Sequence, residues 1–378
     1  MAIGLYIHVP FCVKKCLYCD FTSYPYNPSD AQAYLKAIRR EMHLYRQLLT
    51  SDERELSSLF IGGGTPTCLA VGELKDMLEE VRRVFKLLPG SEITVETNPG
   101  AIDRDGFSEL FGAGVNRLSI GVQSFQDDLL KVLGRIHDAG AAAEAVQLAR
   151  AAGFKNINLD FIFGIPGQTA GDWLDTLRRG VDLFPEHIAV YGLQLEEGTP
   201  LEQAVARGKR RACPEDLELS MYRTAISLLT GCGYEHYEIS NFARPGGRSS
   251  HNLKYWLNHP YLGLGAGAHS SFRGERFSNE TSLERYLEKA FRGEYPVKDR
   301  ELISVQTAMS ESMFLGLRLI QGVNLDLFYR RFGMRVENVY GKQIARLAEQ
   351  GLIEVGGGHL RLSERGLPVA NRVFQEFV

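Results

Sequence analysis

Three cysteines, Cys12, Cys16 and Cys19, fall within eight residues, while Cys68, Cys213 and Cys232 are scattered. The spacing C-x-x-x-C-x-x-C offers three thiolates from one short loop, and four-iron clusters are held by cysteine thiolates of this kind. Three protein ligands leave one iron open. Zinc is the competing occupant, but zinc knots take a second ligand pair downstream, and no partner Cys-x-x-Cys or His-x-x-x-His is present. Six cysteines in 378 residues are too few for a disulfide framework. The scattered three read as small buried side chains.

Glycine is the second signal. Its 39 residues include clusters at Gly62-Gly63-Gly64, Gly246-Gly247, Gly263/Gly265/Gly267 and Gly356-Gly357-Gly358, and clustered glycine suggests backbone brought close to a ligand. The run Gly62-Gly63-Gly64-Thr65 leaves backbone N–H and C=O groups open to one, although a triple glycine alone is most often a turn. Four polar side chains stand out further along: Glu96, Gln123, Arg135 and Asp160. Taken singly, each would more often be a surface or capping group. Tyr6, His8, Tyr18 and Phe21 flank the cysteines and serve either packing around an oxygen-sensitive cluster or direct cofactor contact.

Short β-branched or apolar runs that position these residues recur at 3–9, 58–62, 92–96, 116–122, 156–163 and 187–193. Amphipathic stretches at 29–49, 71–87, 103–111, 139–152 and 170–183 read as helices between them. Asp103 and Asp138 are expected N-caps and Gly153 a helix stop. Strand–helix alternation predicts a parallel sheet with crossover helices, and fits a full barrel, an open partial barrel or a doubly wound sheet equally well. In a barrel, residues at the C-terminal strand ends form the site; the fifth strand carries Asp160, and Glu96 and Gln123 fall at such ends. There the Glu96 carboxylate suits hydrogen bonds from sugar hydroxyls.

Beyond about residue 200 the pattern loosens, with a helix at 214–230 and a strand at 234–239. Three units are expected: a barrel over 1–240, a loop-rich connection over 241–300, and a C-terminal module over 301–378. In the last, helices at 304–319, 325–331 and 336–350 precede two short strands around Gly356–Gly358 and a final helix from Ser363, a winged-helix outline of α+β type.

The C-x-x-x-C-x-x-C loop after a first strand resembles the signature of the radical S-adenosylmethionine enzymes. The resemblance implies that Cys12, Cys16 and Cys19 ligate a [4Fe-4S] cluster, and that S-adenosylmethionine chelates the open iron. It tips the α/β alternation toward a partial (β/α)6 barrel. Gly62, Gly63, Gly64 and Thr65 are similar to that family's glycine motif, which holds the methionine amino group. Glu96, Gln123, Arg135 and Asp160 match, in order and approximate spacing, the cofactor-binding residues of the oxygen-independent coproporphyrinogen III oxidase group, with Tyr6 and Tyr18 added as contacts. This likeness covers nearly the whole chain.

Three departures separate the chain from that oxidase. The first strand starts at Ile3 without the oxidase's N-terminal extension; Phe21 stands where the oxidase carries another cysteine; and Ser250-His251-Asn252-Leu253-Lys254-Tyr255-Trp256 is gained. The H-N-x-x-Y-W string resembles the motif of the haem chaperone family HemW. A neutral imidazole ligates iron, and Tyr255 and Trp256 offer flat faces for a macrocycle. His251 is therefore the candidate haem ligand and His269 a weaker competitor, against a reading in which His251 and Asn252 form a buried polar network at the barrel mouth. Gly263-x-Gly265-x-Gly267 has the wrong spacing for a dinucleotide loop.

The resemblance implies a carrier that binds haem and transfers it to haem-requiring acceptor proteins, with cluster-promoted homodimerisation and peripheral membrane association as further expectations. The alternative is an enzyme decarboxylating coproporphyrinogen III to protoporphyrinogen IX. Nucleic acid is excluded as a partner by charge: 43 Lys+Arg against 46 Asp+Glu give a net −3, and residues 301–378 carry nine basic against eight acidic groups, whereas groove binding needs a basic face. No basic segment precedes an apolar stretch at the start and no apolar run suits a bilayer, so a cytoplasmic protein is expected.

Overall fold

The computed structural model describes residues 2–378. Its centre is a run of parallel strands: β1 (Ile3–Val9), β2 (Glu55–Gly63), β3 (Lys86–Thr97), β4 (Arg117–Gln123), β5 (Ile157–Phe163) and β6 (His187–Gly192). All six expected strands are present. β3 begins earlier than expected because Lys86 and Leu87 pair with Glu55 and Leu56, ending the preceding helix at Val84.

The crossover helices are α1 (Pro28–Leu48), α2 (Val71–Val84), α3 (Arg104–Gly112), α4 (Asp127–Leu133), α5 (Ala139–Ala151) and α6 (Ala170–Asp182). Their starts are chemically marked. The Asn27 side chain accepts from the Ser29 and Asp30 amides ahead of α1, Asp103 from Gly106, and Asp138 from Ala141, each satisfying a donor that the helix cannot. Their apolar faces, such as Tyr34, Ile38 and Met42 of α1, bury against the strands in one continuous core, each such side chain contributing about 1.5–3 kcal/mol. α7 (Pro200–Ala206) and α8 (Glu215–Gly231) follow β6.

The sheet does not stop at six strands. β7 (Glu235–Glu238) and β8 (Asn241–Ala243) extend it beyond β6. On the opposite edge, β9 (Tyr261–Leu264) lies parallel to β1, and β10 (His269–Phe272), β11 (Glu275–Asn279) and β12 (Val297–Leu302) continue antiparallel. The order is β12-β11-β10-β9-β1-β2-β3-β4-β5-β6-β8-β7. The stretch 241–300, expected to be loop-rich, thus carries five of these strands, with α9 (Ser250–Trp256) and α10 (Leu283–Phe291) among them. Its strands are three to six residues long, too short to show alternation, and they acquire their form by pairing with an existing edge.

The C-terminal module has its own core, which includes Met313, Phe328, Tyr340, Leu347 and Phe377. It comprises α11 (Val305–Gly316), β13 (Val323–Asn324), α12 (Leu325–Phe332), α13 (Val336–Glu349), the hairpin β14 (Ile353–Gly356) and β15 (His359–Leu362), and α14 (Ala370–Phe374). The small sheet runs β13-β15-β14. This is the expected winged-helix-like arrangement, except that the final helix starts at Ala370 and not at Ser363, because a turn and the short 3-10 segment Leu367–Val369 come first. Two backbone hydrogen bonds dock it on the barrel, Ile239 N–H to Arg318 C=O and Ile320 N–H to Tyr237 C=O, each 3.1 Å.

Candidate functional site

The cysteine loop leaves β1 and is tied at both feet and its tip. Phe11–Cys12 pairs with Tyr24–Pro25, the Tyr26 amide donates to the Cys12 carbonyl at 2.8 Å, and Leu17 N–H donates to Leu133 C=O at 2.9 Å. Cys12 is buried and Cys16 and Cys19 are partly so, and all three line one cavity of about 390 Å³. Burial pushes the Cys12 and Cys19 thiols up, so metal loading there displaces protons. Among the described residues no three metal-ligating side chains converge tightly enough for a single ion. A four-iron cube is wider than one ion, and its ligands stand correspondingly further apart. Of the remaining cysteines, Cys232 is exposed, not buried as expected, because it caps the end of α8; Cys68 and Cys213 are partly buried.

Each glycine after β2 has its own reason. A Cβ on Gly64 would stand 2.5 Å from the Phe11 carbonyl oxygen and 3.0 Å from Cys12 Sγ. Gly63 has φ +113°, and its Cβ would meet the His8 ring at 2.5 Å; its N–H donates to Glu96 Oε2 at 3.0 Å. Gly62 makes room for the Glu96 carboxyl itself, 2.8 Å from where its Cβ would be. Thr65 Oγ1 donates to Cys12 Sγ at 3.6 Å and accepts from Asn98 Nδ2 at 2.9 Å.

Arg135 reaches Cys16 Sγ at 3.4 Å, Asn98 Oδ1 at 2.5 Å and the Gly121 carbonyl at 2.6 Å. A guanidinium and a hydroxyl therefore donate to two of the three sulfurs. Gln123, at the end of β4, is held at φ +67°, costly for a residue with a side chain, and its buried Oε1 has no hydrogen-bond partner among the described residues. A strained residue carrying an unmet acceptor into the cavity is the mark of a group waiting for a ligand. Glu96 is pushed up to about 8 by burial and then by the charge of Asp160. Burial raises Asp160 too, against the pull of Asn158 Nδ2 at 2.8 Å and Ser119 Oγ at 3.0 Å.

Of the sequence-predicted residues, Cys12, Cys16, Cys19, Tyr18, Gly63, Gly64, Thr65, Glu96, Gln123, Arg135 and Asp160 line this one cavity. Tyr6 does not; it donates to or accepts from His8 Nδ1 at 2.9 Å and faces a second, inner chamber of about 220 Å³. Asn98, which joins Thr65 to Arg135, was missed, although it stands beside the rim residue Glu96. The inner-facing Arg117, Asn158 and His187 were missed as well. Period-two alternation from Gln123 back through Gly121 and Ser119 to Arg117, and from Asp160 to Asn158, is the signal that finds the first two.

His251 lies at the opposite end of the barrel. α9 sits across the N-terminal strand ends, where Glu92 of β3 accepts from Ser250 N–H at 2.8 Å and His251 N–H at 3.0 Å. The ring of His251 is buried against Phe60, with Nδ1 at 2.9 Å from Ser58 Oγ and Nε2 at 2.8 Å from Tyr255 Oη. Burial, helped by Lys254 and Arg117, lowers it to about 3, so the imidazole is neutral. The guanidinium of Arg318 in the C-terminal module stacks on Trp256 at 4.3 Å. His269 is exposed on β10. Gly263 packs against the His269 backbone, Gly265 against Tyr34 and His8, and Gly267 against Thr22, so the run serves close approach of β10, β1, α1 and the loop after the cysteines, not a ligand.

Sequence and structure comparisons place these features among known proteins. Residues 6–180 match the radical SAM superfamily and residues 303–369 the HemN C-terminal domain. The heme chaperone HemW of Bacillus subtilis (strain 168) is 37% identical over 374 residues, covering 99% of this chain and 98% of the relative. The heme chaperone HemW of Escherichia coli (strain K12) is 33% identical, covering 100% and 98%. The solved structure of coproporphyrinogen III oxidase (HemN) from Escherichia coli, described as a radical SAM enzyme, superposes with a TM-score of 0.86 at 23% identity, covering 100% of this chain and 90% of that one. That likeness is one of fold.

Proposed function

The chain belongs to the HemW family of haem chaperones, within the radical S-adenosylmethionine superfamily, and on that premise we propose that it binds haem and passes it to haem-requiring proteins. The observation that carries the reading is end-to-end identity of 33–37% with curated haem chaperones. It favours a carrier over an oxidase, whose likeness rests on fold alone.

The superfamily implies a [4Fe-4S] cluster and S-adenosylmethionine, and the residues present suit both. Cys12, Cys16 and Cys19 would hold the cluster, which when bound supplies an electron-transfer centre with one iron open to the cofactor. The chain's own contribution is positional. Thr65 and Arg135 donate to the thiolate sulfurs; Gly63 and Gly64 clear the approach; Gln123 and Glu96 present unmet or weakly held polar atoms to the rest of the cofactor.

Haem is cargo, and we assign its iron to His251. Supporting this, the imidazole is neutral and so able to ligate. Receiving iron costs it the bond to Tyr255 or to Ser58, and the inner chamber is too small for a macrocycle, so α9 swings outward when haem enters. We further propose that the apolar rim of the cysteine end, Val13, Phe21 and Ile136, each more than half exposed, is where two copies meet. Peripheral membrane association is proposed as well; no helix among the described residues is long and apolar enough to cross a bilayer.

The test is anaerobic reconstitution of the cluster, with coproporphyrinogen III turnover assayed beside an absorbance titration with haemin. Haemin binding without turnover is expected; substantial decarboxylation overturns the carrier reading. A His251→Ala protein with an unchanged haem spectrum removes His251 as the ligand.

A further inference from the structure

Arg117 opens β4 and points into the barrel lumen. Only 2% of it is exposed, and its Nε has no hydrogen-bond partner among the described residues. The guanidinium lines the inner chamber of about 220 Å³ together with Glu96, Asp160, His187, Asn241 and His251. The two carboxyls in that wall are already engaged by other donors: Glu96 by the Gly63 amide, Asp160 by Ser119 and Asn158. His187 is likewise tied to Asn158 and Tyr237. The positive field of Arg117 reaches all of these groups, helping to keep both imidazoles neutral.

An arginine cannot shed its charge, and a buried ion is tolerated where something compensates it. Here Glu96 and Asp160 act on the guanidinium only through space; among the described residues its Nε has no hydrogen-bond partner, and it faces a polar chamber. The planar fork of a guanidinium matches a carboxylate, and the chamber has room for a short carboxylate arm but not for a macrocycle.

We propose that the lumen is a carboxylate-binding site built on Arg117, and that the arm it takes is a propionate side chain of the tetrapyrrole cargo. The proposal rests on the haem-carrier reading for the identity of the arm, and on the unpaired cation in its chamber for the existence of the site. Arg117 then acts as a specificity residue that distinguishes a free tetrapyrrole acid from an esterified or neutral one.

The experiment titrates the full-length protein with haemin and with haemin dimethyl ester, whose carboxylates are capped. Wild type is expected to bind the diacid about 10–100-fold more tightly, the value of one charged hydrogen-bonded pair; Arg117→Gln is expected to bind both alike. Equal binding of acid and ester by wild type, or a preference that survives Arg117→Gln, overturns the proposal. Arg117→Lys, which keeps the charge and loses the fork, is expected to lower the preference and serves if the glutamine variant does not fold. A second readout stands apart from haem: sodium propionate, against sodium chloride at equal ionic strength, should raise the melting midpoint of wild type and not of Arg117→Gln. If neither porphyrin binds but propionate still protects, the carrier reading fails and the site stands; if propionate gives no specific protection, the site falls.

Discussion

The two ends of the barrel solve opposite problems with the same strands. At the cysteine end, Gln123 is strained and carries an unmet acceptor, Glu96 is held by a single amide, and burial pushes the Cys12 and Cys19 thiols up. At the α9 end, the Glu92 carboxylate takes the amides of Ser250 and His251, and both ring nitrogens of His251 have partners. The cysteine end keeps acceptors open, whereas at the α9 end the carboxylate of Glu92 and the ring of His251 are fully engaged, leaving only the buried Trp256 indole N–H of that motif without a partner among the described residues. The difference teaches that the cysteine end is preorganised for ligands as it stands, whereas the motif on α9 becomes a binding site only by giving up contacts it already has.

The strongest way to break this contrast is at the sulfurs. Cys12→Ser, Cys16→Ser and Cys19→Ser should each abolish the visible absorbance of a reconstituted cluster, since no other cysteine lines the cavity; a variant that keeps the absorbance undoes the assignment. Next comes Gly63→Ala. A left-handed backbone and a Cβ driven into the His8 ring should together cost about 3–5 kcal/mol, read by urea unfolding; a loss below about 1 kcal/mol would show that the loop relaxes freely. At the other end, Glu92→Gln should cost about 2 kcal/mol, because one of the two helix amides loses its acceptor oxygen and faces an NH2 group instead. It should also ease haem uptake, if closure by α9 is what limits it; slower uptake would contradict the swing of α9.

The gentlest test is pH, and the two ends answer with opposite signs. Glu96 is raised in the fold from 4.5 to about 8, so its contribution is complete below about pH 4.5 and is lost as pH rises through 8. His251 is lowered from 6.5 to about 3, so its contribution is complete above about pH 6.5 and is lost as pH falls toward 3. Each limb has a slope of up to about 1.4 kcal/mol per pH unit. Glu96→Gln should flatten the alkaline limb of the apo protein and His251→Gln the acid limb, measured by chemical denaturation across pH; either variant flattening the wrong limb removes the pairing of end and sign.

What could be seen in the sequence followed from local rules. Asp103 and Asp138 cap helices where their chemistry says they should, and the six parallel strands sit where apolar runs meet turns. The polar rim was legible because Glu96 and Gln123 fall at strand ends, whereas Asp160, in the middle of β5, reaches the cavity from inside the barrel. The inner chamber was not, since Arg117 at the start of a strand looks like any surface arginine until the neighbouring strands enclose it. Strands of three to six residues between 241 and 302 carry no period of their own, and only the edges of β1 and β6 decide what they become. Gly265 looked like ligand-facing backbone and proved to be a packing residue under Tyr34, a distinction that depends on which helix crosses above it.

The seating of β9 against the free flank of β1 also sets a schedule for synthesis. The first strand emerges from the ribosome with the cysteine loop directly behind it, and its outer partner follows some 250 residues later. At about 5–20 residues per second, that flank stays unpaired for roughly 10–50 s, an apolar ribbon open to any passing strand. Nascent chains arrested short of residue 261 are therefore expected to be the aggregation-prone species in the life of this protein, and their dependence on a ribosome-bound holdase is the quantity to measure.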